Sequence, residues 1–183
     1  MKQTKPFRIC LIGDRSIPVT NFLYNVFLTM KTLLPILKFV VLSLLVGYIS
    51  MLLQSESIST WYPLLEKSSL TPPGYVFSLV WGILYILMGV SAGLVWSRRT
   101  SNAWVLMLLF SIQLFLNLLW SFCFFYLRQP LLALVVLIAL FLTVAAYVIG
   151  CYGQRRLAAF INIPYLLWLL FATYLNGYVV VFN

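Results

Sequence analysis

Gln113, Asn117, Trp120, Ser121 and Phe124 follow one another at steps of four, three, one and three, which places them on one face of a helix. Amide and hydroxyl groups on such a face can orient the polar end of a ligand, and the rings can stack on a flat apolar body. A second stripe combines Phe77, Trp81, Leu84, Tyr85 and Met88. A third runs through Tyr165, Trp168, Ala172 and Asn176 at steps of three, four and four, just after Asn162 and Pro164. Each stripe has two readings. One is packing, with interhelical hydrogen bonds worth about 0.6 kcal/mol on average in a membrane. The other is the wall of a pocket, which needs a few fixed polar groups in an apolar, aromatic lining. Trp81 lies deeper in its segment than an interfacial aromatic belt requires, and three stripes on three helices together could enclose one cavity.

The residues that are missing narrow the chemistry. The chain has no His, and its acids are Asp14, Glu56 and Glu66, all outside the long apolar runs. The usual donors for general acid-base work, proton relays and metal ligation are therefore absent from those runs. Cys10, Cys123 and Cys151 are scattered without paired spacing, which indicates neither a disulfide framework nor a metal site. A net charge of +9 would suggest nucleic acid in a soluble protein. Here the basic residues sit singly or in pairs between apolar segments, where they set topology, so no nucleic-acid partner is expected.

The elements that must carry the stripes follow from composition. Of the residues 63% are hydrophobic and 8% charged, with a mean hydropathy of +1.04, so polar surface is too scarce to cover a soluble globule. Apolar runs near the ~20 residues needed to cross a bilayer as a helix recur along the chain. They predict an all-α, polytopic membrane protein: a five-helix bundle with spans at 32–54, 75–97, 104–127, 131–151 and 157–181, embedded in the lipid bilayer. Charges are absent from the interiors of the last four spans, and Lys38, near the start of the first, can snorkel. Short connections after spans two, three and four predict antiparallel neighbours. Between the first two spans a long loop, 55–74, contains Trp61, Tyr62, Pro72 and Pro73 and reads as an ordered lid. Gly89 and Gly93 match the small-xxx-small pattern of close helix contact, within one subunit or between two.

Residues 1–30 read as a separate N-terminal extension, unstructured and dispensable or a mis-called start, ahead of a membrane domain at 31–183. Pro6 and Pro18 interrupt any long helix there. The apolar run that follows is too long for a cleaved signal peptide and lacks a small-residue cleavage site. Lys31, Arg98, Arg99, Arg155 and Arg156 fall on the side of the N-terminus, while Lys67 and Arg128 on the other side are offset by Glu56 and Glu66. The N-terminus is therefore expected in the cytoplasm, and the long loop and C-terminus outside.

The segments "WYPLLEKSSLTPPGYVFSLVWGILYILMG", "QLFLNLLWSFCFF" and "PYLLWLLFATYLN", in that order and spacing, resemble the TspO/MBR family, the tryptophan-rich sensory proteins related to the translocator protein. The similarity covers about residues 32–183. It implies a five-helix bundle, often a homodimer, that requires no cofactor and binds porphyrins such as protoporphyrin IX and haem, or benzodiazepine-site ligands, beneath the first loop. Carried over by position, the ligand-binding residues are Tyr62, Pro72, Trp81, Tyr85, Asn117, Trp120, Ser121, Trp168 and Ala172. Two features depart from the family pattern. Ser68 stands where a Pro commonly follows the Lys, which predicts a less rigid lid, and "YLNGYVVVFN" lacks the basic residue of the family's sterol motif. Without His, axial histidine ligation of a haem iron is excluded, leaving stacking and apolar contact, or Tyr or Cys at most.

The expected role is a membrane binding or sensor protein for tetrapyrroles or similar apolar small molecules, with a planar ligand stacked on Trp81 and Trp168. The resemblance also implies, as an alternative, a light-dependent porphyrin-degrading activity in which Trp81 and Trp168 would take part. A transporter ranks below binding, because the sequence has neither internal repeats nor intramembrane coupling charges.

Overall fold

The computed structural model describes the backbone of residues 8–9, 17–98 and 102–183, and side chains from Met30 onward. Pro6, Cys10, Asp14 and Arg99, named above, lie outside the described residues. A short antiparallel pairing joins β1 (Arg8–Ile9) to β2 (Ile17–Pro18). Five helices follow: α1 (Val19–Thr60), α2 (Gly74–Arg98), α3 (Ala103–Ser121, continued by a π-helical turn over Phe122–Tyr126), α4 (Pro130–Gln154) and α5 (Arg156–Phe182). Among the described residues all five are long and apolar enough to cross a membrane, as expected for an integral, multi-pass protein.

The first span is longer than expected at both ends. Pro18 immediately precedes the first helical residue, so the helix enters the segment set apart as an extension. At the other end no Pro or Gly intervenes before Pro63, and the hydroxyls of Ser55, Ser59 and Thr60 bond back to carbonyls of their own turns. The helix therefore consumes the start of the predicted loop. What remains between α1 and α2 is a compact strap over residues 61–73 that opens with a 3-10 turn at Tyr62–Leu64.

The helices form a ring in the order α1, α2, α5, α4, α3, closed by α1 against α3 and its π-turn. The expectation that short connections make chain neighbours into packing partners holds for α3 with α4 and for α4 with α5. It does not hold well for α2, which packs chiefly on α1 and α5. One cause is the glycine pair. A Cβ on Gly89 would lie 2.4 Å from the Val40 Cα, and one on Gly93 would lie 2.3 Å from the Ile36 Cα. The small-xxx-small face is thus spent within the subunit, bringing the α1 and α2 backbones together. On the far side of α2, Ser91 Oγ lies 3.1 Å from the Tyr147 hydroxyl of α4 and donates to the Ala158 carbonyl of α5 (2.9 Å).

Burial is inverted relative to a soluble protein. Leu37, Leu45, Phe115, Leu142 and Ile149 are exposed, while Gln113, Asn117, Asn162 and Asn176 are buried. An apolar coat around an amide-bearing core suits a bilayer; Asn117, Asn162 and Asn176 bond within the bundle, whereas both side-chain polar atoms of Gln113 are buried without a partner among the described residues. Pro164 sits on the exposed side of α5, and the helix continues through it.

Candidate functional site

The polar centre is built on Asn117 of α3. The Tyr85 hydroxyl of α2 donates to Asn117 Oδ1 (2.5 Å), and Asn117 Nδ2 donates to the Tyr165 hydroxyl of α5 (3.1 Å). One amide therefore ties three helices together, satisfying buried polar groups where water cannot. Nearer the strap, Trp120 Nε1 donates to Asn176 Oδ1 (3.2 Å), and Asn176 Nδ2 donates to the Pro130 carbonyl (2.8 Å). This chain fixes the indole plane against α5 and the start of α4.

Rings are arranged on this polar frame. Trp81 and Trp120 stack with centroids 5.8 Å apart, and Trp120 stacks in turn on Phe124 at 5.9 Å. Trp81 also meets Tyr85 at 5.8 Å and the Tyr165 edge at 6.2 Å. The π-turn matters here. Cys123, Phe124 and Phe125 are all buried despite being consecutive, because the widened turn keeps successive side chains on the inner side, and such turns recur at functional sites. Ser57 of α1 donates to the Phe125 carbonyl (2.5 Å), capping one of the last carbonyls of this segment.

The strap closes over these rings. Trp61 and Tyr62 pack on Phe124, and Tyr62 also packs on Phe125. Lys67 Nζ donates to the Tyr62 carbonyl (2.9 Å) and lies 4.8 Å above its ring. Burial pushes the Tyr62 phenol above its ordinary pKa, so it remains a neutral hydrogen-bonding group. Two further ties fasten the strap to α5: Ser68 Oγ with the Tyr174 hydroxyl (2.9 Å), and a reciprocal pair in which Glu66 N donates to Asn183 Oδ1 (2.9 Å) and Asn183 Nδ2 donates to the Glu66 carbonyl (3.1 Å). The looser lid expected from Ser68 is not what this geometry provides, since the hydroxyl supplies a tether that a Pro lacks.

Two adjoining hollows result. One, of about 110 Å³, lies under the strap and is lined by Tyr62, Lys67, Pro72, Trp120, Phe124, Phe125, Ala172 and Asn176 among others. The other, of about 220 Å³, lies between α1, α2 and α3 and is lined by Gly47, Ser50, Trp81, Tyr85, Asn117, Trp120 and Ser121 among others. Gln54, Ile58, Phe77, Ser78 and Trp120 border both. Together they reach the low end of the ~300–1,000 Å³ range of ligand pockets. Eight of the nine site residues expected from sequence line one or both hollows. Trp168 lines neither: it packs on Phe77 (5.4 Å) and Phe171 (5.6 Å), and its buried indole N–H meets no acceptor among the described residues.

The contribution of α1 is not among the site residues expected from sequence. Gly47, Ser50, Gln54 and Ile58 supply a wall, and Gln54 Nε2 donates to Ser121 Oγ (3.3 Å). The signal was present: Ser43, Gly47, Ser50, Gln54 and Ser57 recur at steps of four, three, four and three, a small and polar stripe on an otherwise apolar helix. Gly47 has a specific role, because a Cβ there would meet the Tyr85 ring at 2.5 Å. Gly47→Ala is expected to push that ring off Asn117 and cost about 1–3 kcal/mol. Thermal unfolding in detergent checks this, and an unchanged midpoint would contradict the contact.

The TspO/MBR family model matches residues 39–182. The chain is 36% identical over 140 residues to the tryptophan-rich protein TspO of Archaeoglobus fulgidus, covering 76% of this chain and 91% of the relative. It is 35% identical over 150 residues to the Chlorobaculum tepidum protein of the same name, covering 80% and 94%. With the translocator protein of Homo sapiens it shares 42% identity over 119 residues, covering 63% and 70%.

Proposed function

The chain belongs to the TspO/MBR family, and from that premise we propose that it is a membrane binding or sensor protein for tetrapyrroles and other flat apolar ligands. The observation that carries this reading is the stacked Trp81–Trp120 pair beside Asn117, roofed by a hydrogen-bonded strap. A planar macrocycle gains from aromatic faces at membrane depth, and Ser121, Gln54 and Lys67 stand ready for its polar or acidic substituents. Because the hollows are modest in volume, a macrocycle is admitted when the strap swings away from α5 and Trp120, their shared wall, shifts. With the basic end of the bundle toward the cytoplasm, the strap lies on the opposite side.

The test is a dark titration of the purified protein with protoporphyrin IX, read by quenching of tryptophan fluorescence. Saturation at one ligand per chain is expected, weakened about tenfold in Trp81→Phe and little changed in Trp168→Phe, a loss of ~1.4 kcal/mol per decade. Equal affinity in wild type and Trp81→Phe would remove the assigned pocket. Repeating the titration in light separates binding from catalysis: loss of porphyrin absorbance over many turnovers would favour the degrading enzyme.

The strap tethers give a further expectation. Ser68→Ala and Tyr174→Phe each remove a bond worth about 0.5–1.5 kcal/mol to the closed form. Association should quicken about two- to tenfold in stopped-flow mixing. Rates equal to wild type would mean that the strap does not gate entry.

A further inference from the structure

At the end of the bundle away from the strap, a groove of about 280 Å³ runs between α1 and α2, lined by Leu34, Pro35, Lys38, Phe39, Leu42 and Trp96. We propose that this groove is a binding site for one anionic phospholipid, with its phosphate on Lys38 and an acyl chain along Phe39 and Leu42.

Depth is the first argument. The backbone contacts of Gly93 with Ile36 and of Gly89 with Val40 set the register of the two helices, so Lys38 lies level with the middle of that pair, exposed on the outward side of α1. That is about 10 Å along the axis from Arg98, the last residue of α2, at 1.5 Å rise per residue. Side chains on a helix lean toward its N-terminus, which for α1 is the basic end, so the Lys38 stem runs along the groove toward the headgroup layer. Its ammonium then reaches the boundary between acyl chains and headgroups. Trp96, exposed and edge-on to Phe39 at 6.0 Å, forms the opposite wall where an amphipathic indole is favoured.

Charge is the second argument. Among the described residues the carboxylate side chains are Glu56, which pairs with Arg128 at 3.5 Å, and Glu66, which sits in the strap beside Asn183. All of these lie at the far end of the bundle. The basic end carries Lys38, Arg98, Arg155 and Arg156 without a described carboxylate. Crowding there is visible at Arg155, whose pKa is lowered by burial and by the neighbouring Arg98. A cation held at the boundary of acyl chains and headgroups attracts anionic lipid, and basic pockets between transmembrane helices suit anionic headgroups. Leu34 and Leu42 of the groove are themselves exposed, an apolar track that suits an acyl chain and not a soluble anion.

The experiment is native mass spectrometry of the full-length protein, extracted in a neutral detergent and exposed to equal amounts of phosphatidylglycerol and phosphatidylcholine with identical chains. One phosphatidylglycerol per chain should be retained with about a tenfold preference. Lys38→Gln should reduce the preference to within about twofold, Leu42→Trp should lower retention by filling the groove, and Arg128→Gln at the far end should leave both unchanged. Equal retention of the two lipids, or a wild-type preference in Lys38→Gln, would overturn the site. So would displacement of the lipid by oleate as readily as by lysophosphatidylglycerol, which would reassign the groove to carboxylate amphiphiles.

Discussion

Gly93→Leu is expected to abolish the native bundle, and Gly89→Leu to do nearly as much. At each position even a Cβ would fall within 2.5 Å of α1 backbone atoms, at Ile36 or Val40, and backbone cannot rotate aside as a side chain can. The two helices would have to separate along the length of their contact, losing the close packing that drives association in lipid, where burial away from water contributes nothing. Overpacking a core typically costs about 1–3 kcal/mol and occasionally more, and this backbone-to-backbone case belongs at or above the upper figure. Size-exclusion chromatography and thermal unfolding in detergent check it. Gly82→Leu is the control, because nothing lies within 4 Å of its Cβ position. A monodisperse Gly93→Leu protein melting near wild type would contradict the α1–α2 seam.

Asn117→Leu is the second large effect. The substitution leaves the Tyr85 hydroxyl without its acceptor and the Tyr165 hydroxyl without its donor, both in a buried core. Unpaired buried groups cost about 1–3 kcal/mol each in water-soluble proteins, although alternative partners in the membrane-unfolded state moderate such losses. We expect about 2 kcal/mol in total. The asymmetry of hydrogen-bond deletion gives a sharper expectation: adding Tyr85→Phe and Tyr165→Phe to Asn117→Leu should recover much of the loss, because no polar group then remains to be satisfied. If the triple variant is less stable than Asn117→Leu by the sum of the single Tyr→Phe costs, the three residues are not one network.

Much of this arrangement is readable in the sequence because membranes simplify it. Spans announce themselves by length and apolarity, and the inward faces of α2, α3 and α5 stand out because Trp, Tyr and Asn are conspicuous against Leu and Val. The wall from α1 is harder to see, since Gly47, Ser50 and Gln54 are small or ordinary residues whose meaning comes from what they admit, such as the Tyr85 ring. The first loop is shorter than the sequence predicts because Ser55, Ser59 and Thr60, which suit loops, in place turn their hydroxyls to the helix itself. Trp168 shows the limit of periodicity. It shares a stripe with Tyr165 and Ala172, yet Phe77 and Phe171 enclose it and the hollows form one ring further in. Helical spacing specifies a face, and the neighbouring helices decide which part of that face meets open space. The partition of α2 between α1 and α5 was also hidden, because loop length alone does not reveal which helices adhere most closely.

Single-tryptophan proteins test the central claim most directly. One retains Trp120 and another retains Trp104, an exposed indole remote from the hollows, with the remaining tryptophans replaced by Phe. Titrated with protoporphyrin IX in the dark, the Trp120 protein, which also lacks Trp81, should be quenched to saturation at one ligand per chain with an affinity about tenfold below wild type, while Trp104 should dim only in the gradual manner of a fluorophore meeting porphyrin dissolved in detergent. Saturable quenching of Trp104 with Trp120 unaffected would place the ligand on the outer surface and contradict an aromatic-walled interior site.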